Sequence, residues 1–110
     1  MKRGDIVIAV APGEYGKPRP AIIVQADAFA LTSVTIAPVT SELQDAPLLR
    51  IGLEPTADNG LVKSSQIMVD KLMTVTRSKI AQRVGSLDEP TRRRLDEALA
   101  TFLGLDQFGT

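Results

Sequence analysis

A chain of 110 residues and 11.8 kDa suits one compact domain over 1–110, long enough to bury a core without staples. Thirteen Lys and Arg balance thirteen Asp and Glu, and there is no histidine and no cysteine. Disulfides, zinc fingers, thiolate nucleophiles and serine–histidine triads are thereby excluded, leaving chemistry to Asp, Glu, Arg, Lys, Ser, Thr, Tyr or the backbone.

Residues 6–11 are a continuous apolar run rich in β-branched side chains and predict a buried strand. Residues 12–20, punctuated by two glycines and three prolines, predict a loop. A second buried strand is expected over 21–24, and a short helical turn capped by Asp27 over 27–31. Strands three and four fall at 34–40 and 48–51. Residues 54–60 are a turn, with Asn59-Gly60 its tight-turn signal, and a fifth strand spans 61–69. Two further strand candidates lie at 72–75 and 80–84, the second ending at Gly85.

After Gly85 the period changes. Asp88 can cap a helix, Pro90 suits its first turn, and Glu89 favours the positive end of the dipole. Leu95, Ala98, Leu99 and Phe102 recur at helical spacing, Arg92, Arg93, Asp96 and Glu97 lie opposite, and Gly104 stops the helix. Strands first and one amphipathic helix last predict a small, strongly bent antiparallel sheet or partial barrel with the helix packed across it.

Net charge zero hides a slight asymmetry. Residues 1–87 carry ten bases against eight acids, and residues 88–110 carry three against five. A local basic patch is allowed rather than demanded. The run at 6–11 is too short for a signal-peptide core, and no apolar run approaches the roughly 18 residues that span a bilayer. With cysteine absent, the expectation is a cytoplasmic protein without membrane contact.

Three places can carry chemistry. Arg19 stands between Pro18 and Pro20, which push it toward an extended conformation and aim it in a defined direction. Its guanidinium either clamps a phosphate and stabilises developing charge or is a solvated arginine in a stiff turn. Thr40 and Ser41 end the third strand, where hydroxyls either donate to a phosphoryl oxygen or close a local turn. Asp70 beside Lys71 is either a proton-transfer pair or a surface ion pair. Arg92-Arg93-Arg94 reads as a solvated helix face. Four aromatics are too few for a base-stacking platform, and no nucleotide-binding fingerprint or metal-spaced carboxylate cluster occurs.

Several segments, in order, resemble the motifs of the MazF/PemK (Kid) toxins. They are Lys2-Arg3-Gly4-Asp5-Ile6-Val7, then Lys17-Pro18-Arg19-Pro20 running into Ala21-Ile22-Ile23-Val24-Gln25, then Ala37-Pro38-Val39-Thr40-Ser41. Residues 64–75 resemble the strand leading into that family's D-Q-x-R-T segment, and residues 85–105 its closing element. The resemblance implies a mainly β fold, an SH3-like β-barrel of the CcdB/Kid/MazF type with a C-terminal α-helix, forming a two-fold homodimer. It implies a type II toxin that cleaves single-stranded mRNA at short specific sequences without metal or cofactor, giving a cyclic phosphate and a 5′ hydroxyl, and that a cognate antitoxin blocks. Catalysis would then fall on Arg19 and Thr40, with Asp70 assisting, and RNA contacts on Lys17, Gln25, Ser41, Arg50, Ser65, Gln66 and Lys71. Cleavage by the RNA's own 2′ hydroxyl needs no enzyme nucleophile, which accords with the two missing residue types.

The chain departs from the pattern. D-Q-x-R-T reads Asp70-Lys71-Leu72-Met73-Thr74, and Met68 stands where one relative has arginine, so Lys71 or Arg50 would have to replace a guanidinium. Two alternatives follow: a non-enzymatic toxin that binds gyrase on the same fold, or an interaction module with weakened catalysis. The terminal Trp-Gly-Ile of the gyrase binders is replaced by Gln107-Phe108-Gly109-Thr110.

Overall fold

The computed structural model describes residues 1–10 and 17–106; expectations for 11–16 and 107–110 lie outside the described residues. The strands are β1 (Asp5–Val10), β2 (Pro18–Ile23), β3 (Ser33–Thr40), β4 (Arg50–Leu53), β5 (Ser65–Met68), β6 (Met73–Thr76) and β7 (Ile80–Ser86), followed by the helix α1 (Glu89–Phe102). Short 3₁₀ turns occupy Val69–Lys71 and Arg77–Lys79. All pairings are antiparallel, in the order β4-β5-β3-β2-β1-β7, with β6 also paired to β3.

β3 is the pivot. Its first half, Ser33 to Ile36, pairs with β6, while Val39 and Thr40 pair with β5, so the sheet bends along its length. Among the described residues no ladder joins β4 to β7, and the sheet is not closed. The turn around Asn59 fills that seam. Asn59 is buried, its side chain bonding Thr56 N, Leu61 N and Glu54 O at 2.8–3.0 Å, and Ser86 N donates to Asp58 O at 2.9 Å. Gly60 has φ +68°, and a Cβ on it would collide with the Val84 carbonyl, so glycine is required twice over there.

Alternation splits the apolar residues between two faces. Ile6, Ile22, Ala37, Val39, Ile51 and Ile67 lie under α1 with Leu95 and Leu99. Val7, Ala9, Ala21, Ile23, Val34, Ile36 and Val75 form the second cluster. Asp88 caps α1, accepting Thr91 N at 2.8 Å, as the Asp-Glu-Pro start predicts. Phe102 does not join the core: the last turn runs past the sheet, leaving Phe102, Leu103 and Leu105 exposed.

Four expectations shift. β2 begins at Pro18, inside the expected loop, because fixed proline φ values suit an extended strand and β1 supplies its partner. Asp27 caps no helix; its carboxylate accepts Arg3 N at 2.7 Å, and residues 27 and 28 form a turn. Leu48 and Leu49 lie in a turn closed by Leu49 N and Arg50 N on Ala46 O, so β4 starts at Arg50. β5 is only Ser65–Met68, since β4, its partner, ends at the Leu53–Ser65 pair and the residues before Ser65 have no ladder to join.

Candidate active site

Proline builds the site by what it withholds. Pro18, Pro20 and Pro38 have no N–H to give a ladder, and β2–β3 pairing ends at Ala21–Pro38. Arg19 therefore continues only against β1, opposite Ala9. Carrying the β2–β3 register two residues further sets Arg19 across from Thr40. Thr40 pairs on its other side with Gln66, and Gln66 with Gly52. Neighbours Val39 and Ile67 belong to the helix-side core, so Thr40, Gln66 and Met68 point to the opposite face.

Arg19, Val39, Thr40 and Ser41 form the shared wall of two cavities. One, of about 480 Å³, is completed by Pro38, Glu42, Met68, Lys71 and Met73. The other, of about 260 Å³, is completed by Ile8, Pro20, Gly60, Leu61, Val62, Lys63, Ser65 and Val84. Arg19, Lys63 and Lys71 bring three cationic heads to these walls against one carboxylate, Glu42. Thr40 Oγ1 accepts Glu42 N at 3.0 Å, which fixes the hydroxyl yet leaves its own proton to give. An arginine and a threonine on the wall between two cavities can hold a phosphodiester with a nucleoside on either side.

The other expected site residues divide. Ser41 and Lys71 line the larger cavity, and Ser65 the smaller, where its hydroxyl is spent on Lys63 O at 2.9 Å. Gln66 stands beside Thr40, but its amide clamps Gln44, accepting Gln44 N and donating to Gln44 O, both at 3.0 Å. Lys17 is exposed just before β2 and lines neither cavity. Gln25 is elsewhere, joining Thr35 N at 3.2 Å to Phe29 O at 2.9 Å beside a cavity of about 420 Å³ against α1. Asp70 also lines neither cavity. Its Oδ1 is buried without a hydrogen bond and faces Arg50 Nε at 3.8 Å, and the Arg50 side chain is only 8% exposed. This pair supports the turn that carries Lys71. Among the described residues, no acidic group of three or more could hold a metal ion.

Sequence reasoning passed over Glu42, left Lys63 beside Ser64-Ser65-Gln66 without a role, and took Met68 and Met73 only as departures. A carboxylate two residues beyond a strand-terminal threonine was the available signal for Glu42; the methionines become a wall only once β5 and β6 flank β3.

Comparison with known proteins gives the family and supports the fold. Residues 2–103 match the family model described as PemK-like, MazF-like toxin of type II toxin-antitoxin system. The "Probable endoribonuclease MazF" of Mycolicibacterium smegmatis is 52% identical over 107 residues, covering 96% of this chain and 98% of that protein. The "Endoribonuclease EndoA" of Bacillus subtilis is 28% identical over 115 residues, covering 98% of each. Among solved structures, "Mycobacterium tuberculosis toxin MazF-mt6" superposes with a TM-score of 0.80 at 27% identity, covering 93% of this chain and 98% of that one. The chain belongs to the PemK-like, MazF-like toxin family of type II toxin–antitoxin systems.

Proposed function

We propose that this protein is the toxin of a toxin–antitoxin pair and acts as an endoribonuclease on single-stranded RNA, with Arg19 and Thr40 at the reacting phosphate. The observation that carries the reading is the wall that Arg19 and Thr40 share between two cavities, at positions that the β2–β3 register, carried on two residues, would set across from each other. The endoribonuclease names of its relatives support it. In the reaction the 2′ oxygen attacks phosphorus, a P–O bond to it forms, and the bond to the 5′ oxygen breaks. The products are a 2′,3′-cyclic phosphate and a 5′ hydroxyl. Charge builds on the non-bridging oxygens, where the Arg19 fork and the Thr40 hydroxyl stabilise it. The proton lost by the 2′ hydroxyl and the one gained by the 5′ oxygen can pass through water. Asp70, turned toward Arg50, takes a supporting role.

The partners that go with this reading are mRNA, a cognate antitoxin protein and a second copy of the chain, within the cytoplasm. No helix among the described residues is long and apolar enough to cross a membrane.

The test incubates purified protein with long RNA of varied sequence in EDTA and maps new 5′ ends. Wild type is expected to cut at a short recurring sequence, and Arg19→Ala and Thr40→Ala to lose most of that activity. No cleavage on any RNA overturns the enzyme reading, and full activity in Arg19→Ala overturns the site.

A further inference from the structure

The larger cavity holds more than a phosphate needs. At about 480 Å³ it falls within the roughly 300–1,000 Å³ of small-molecule sites. Pro38, Met68 and Met73 give it apolar walls, and beyond the Arg19–Thr40 wall its charged heads are of opposite sign, Glu42 and Lys71. A second anion would not be met by a carboxylate. A flat, apolar-faced group with donors and acceptors along its edge would.

Both heads rest on fixed backbone. Glu42 sits between two pins, its own N–H on Thr40 Oγ1 and the two-way clamp of Gln66 on Gln44. Lys71 ends the 3₁₀ turn, whose Val69 is fully buried and donates its N–H to Leu49 O at 2.9 Å. The backbone that carries each head therefore loses little freedom on binding, which favours discrimination over loose attraction.

We infer that this cavity is a base-reading pocket for the nucleotide beside the scissile phosphate, selecting a base that bears an exocyclic amino group, guanine above all; it rests on the RNA-cleaving reading. Glu42 only accepts, so it takes N–H groups from the base edge, and guanine offers two side by side. Lys71 only donates, to a carbonyl oxygen or ring nitrogen. Uracil would set its carbonyl lone pairs against the carboxylate. Met68 and Met73 grip the faces of the base with polarizable, adaptable side chains in place of aromatic stacking.

Binding of short 2′-O-methyl oligonucleotides, which cannot be cleaved, tests the pocket. Each position carries each of the four bases in turn, and affinity is read by fluorescence anisotropy. At one position wild type is expected to prefer guanine over uracil by about 5- to 100-fold. Glu42→Ala and Lys71→Ala, both at exposed positions, are expected to relax the preference at that position alone. Uracil bound as well as guanine everywhere, or a preference unchanged in both variants, overturns the proposal. So does cleavage by Glu42→Ala that is uniformly slower with its sequence preference intact, which would make Glu42 a proton-transfer group. Base-selective binding lost in Glu42→Ala, in a protein that never cleaves RNA, would retain the pocket and sink the endoribonuclease reading.

Discussion

Arg19 owes its place to its neighbours: prolines end the β2–β3 ladder at Ala21–Pro38, so Arg19 is paired only with β1. On the proposed reading its fork, rather than its charge alone, would set the rate. Arg19→Ala is expected to reduce cleavage by about 10²–10³-fold, the usual loss for one donor at a developing oxyanion. Arg19→Lys should recover little of it, because an ammonium cannot bind two oxygens in one plane; single-turnover cleavage of a defined RNA compares the two, and near-complete rescue by lysine would mean that charge suffices. At this scale the sequence was legible where partners are local: Pro-Arg-Pro announces a directed arginine by itself. It was not legible where partners are remote. Gln25 is held by Thr35 and Phe29, and Asp27 by Arg3, 24 residues away, partners that the local sequence does not announce. Arg50 and Asp70 likewise face each other from separate elements, and only the packed structure shows that they pair.

Among the elements, α1 was the easiest to read, since cap, first turn and periodicity all pointed the same way. Its cap also titrates. Hydrogen bonds from Thr91, side chain and then backbone, hold the Asp88 carboxyl below its usual value of 3.8. The folded state therefore favours the carboxylate, and this stabilisation is present above that usual value and lost as pH falls through the lowered one. Asp88→Ala should lower the thermal midpoint at neutral pH and weaken its dependence on acid, the two proteins converging once Asp88 is protonated; circular dichroism melts at neutral and acid pH would show it. Strand limits were harder, because a strand ends where its partner does, as β5 ends with β4. The loop after β3 depends on one side chain of β5. Gln66→Ala frees Gln44 on both sides, and hydrogen exchange at Gln44 is expected to speed up while the core amides keep their protection.

For the molecule as a whole, zero net charge is compatible with a polyanionic partner because Arg19, Lys63 and Lys71 line two adjoining cavities, Lys63 one, Lys71 the other and Arg19 both. Three such contacts predict that the logarithm of the binding constant for uncleavable single-stranded RNA falls with the logarithm of salt at a slope of about −2. Titration between low and moderate salt measures it, and a flat response would remove these cations from the interface. The open seam between β4 and β7 makes a separate demand. Gly60→Ala strains a positive φ and strikes the Val84 carbonyl, so it should cost more than about 1–2 kcal/mol in urea unfolding.

The two cavities on either side of Arg19 and Thr40 also bear on how RNA must arrive. Neighbouring bases in a strand prefer to lie on one another, yet a phosphate on this wall would send its flanking bases into separate hollows. The described residues lining those hollows include no aromatic ring to restore the lost stack. The RNA must bear that cost itself. Weakly stacked steps in open regions would be cut before strongly stacked or folded ones bearing the same letters, and the protein would sense the looseness of its target as well as its sequence.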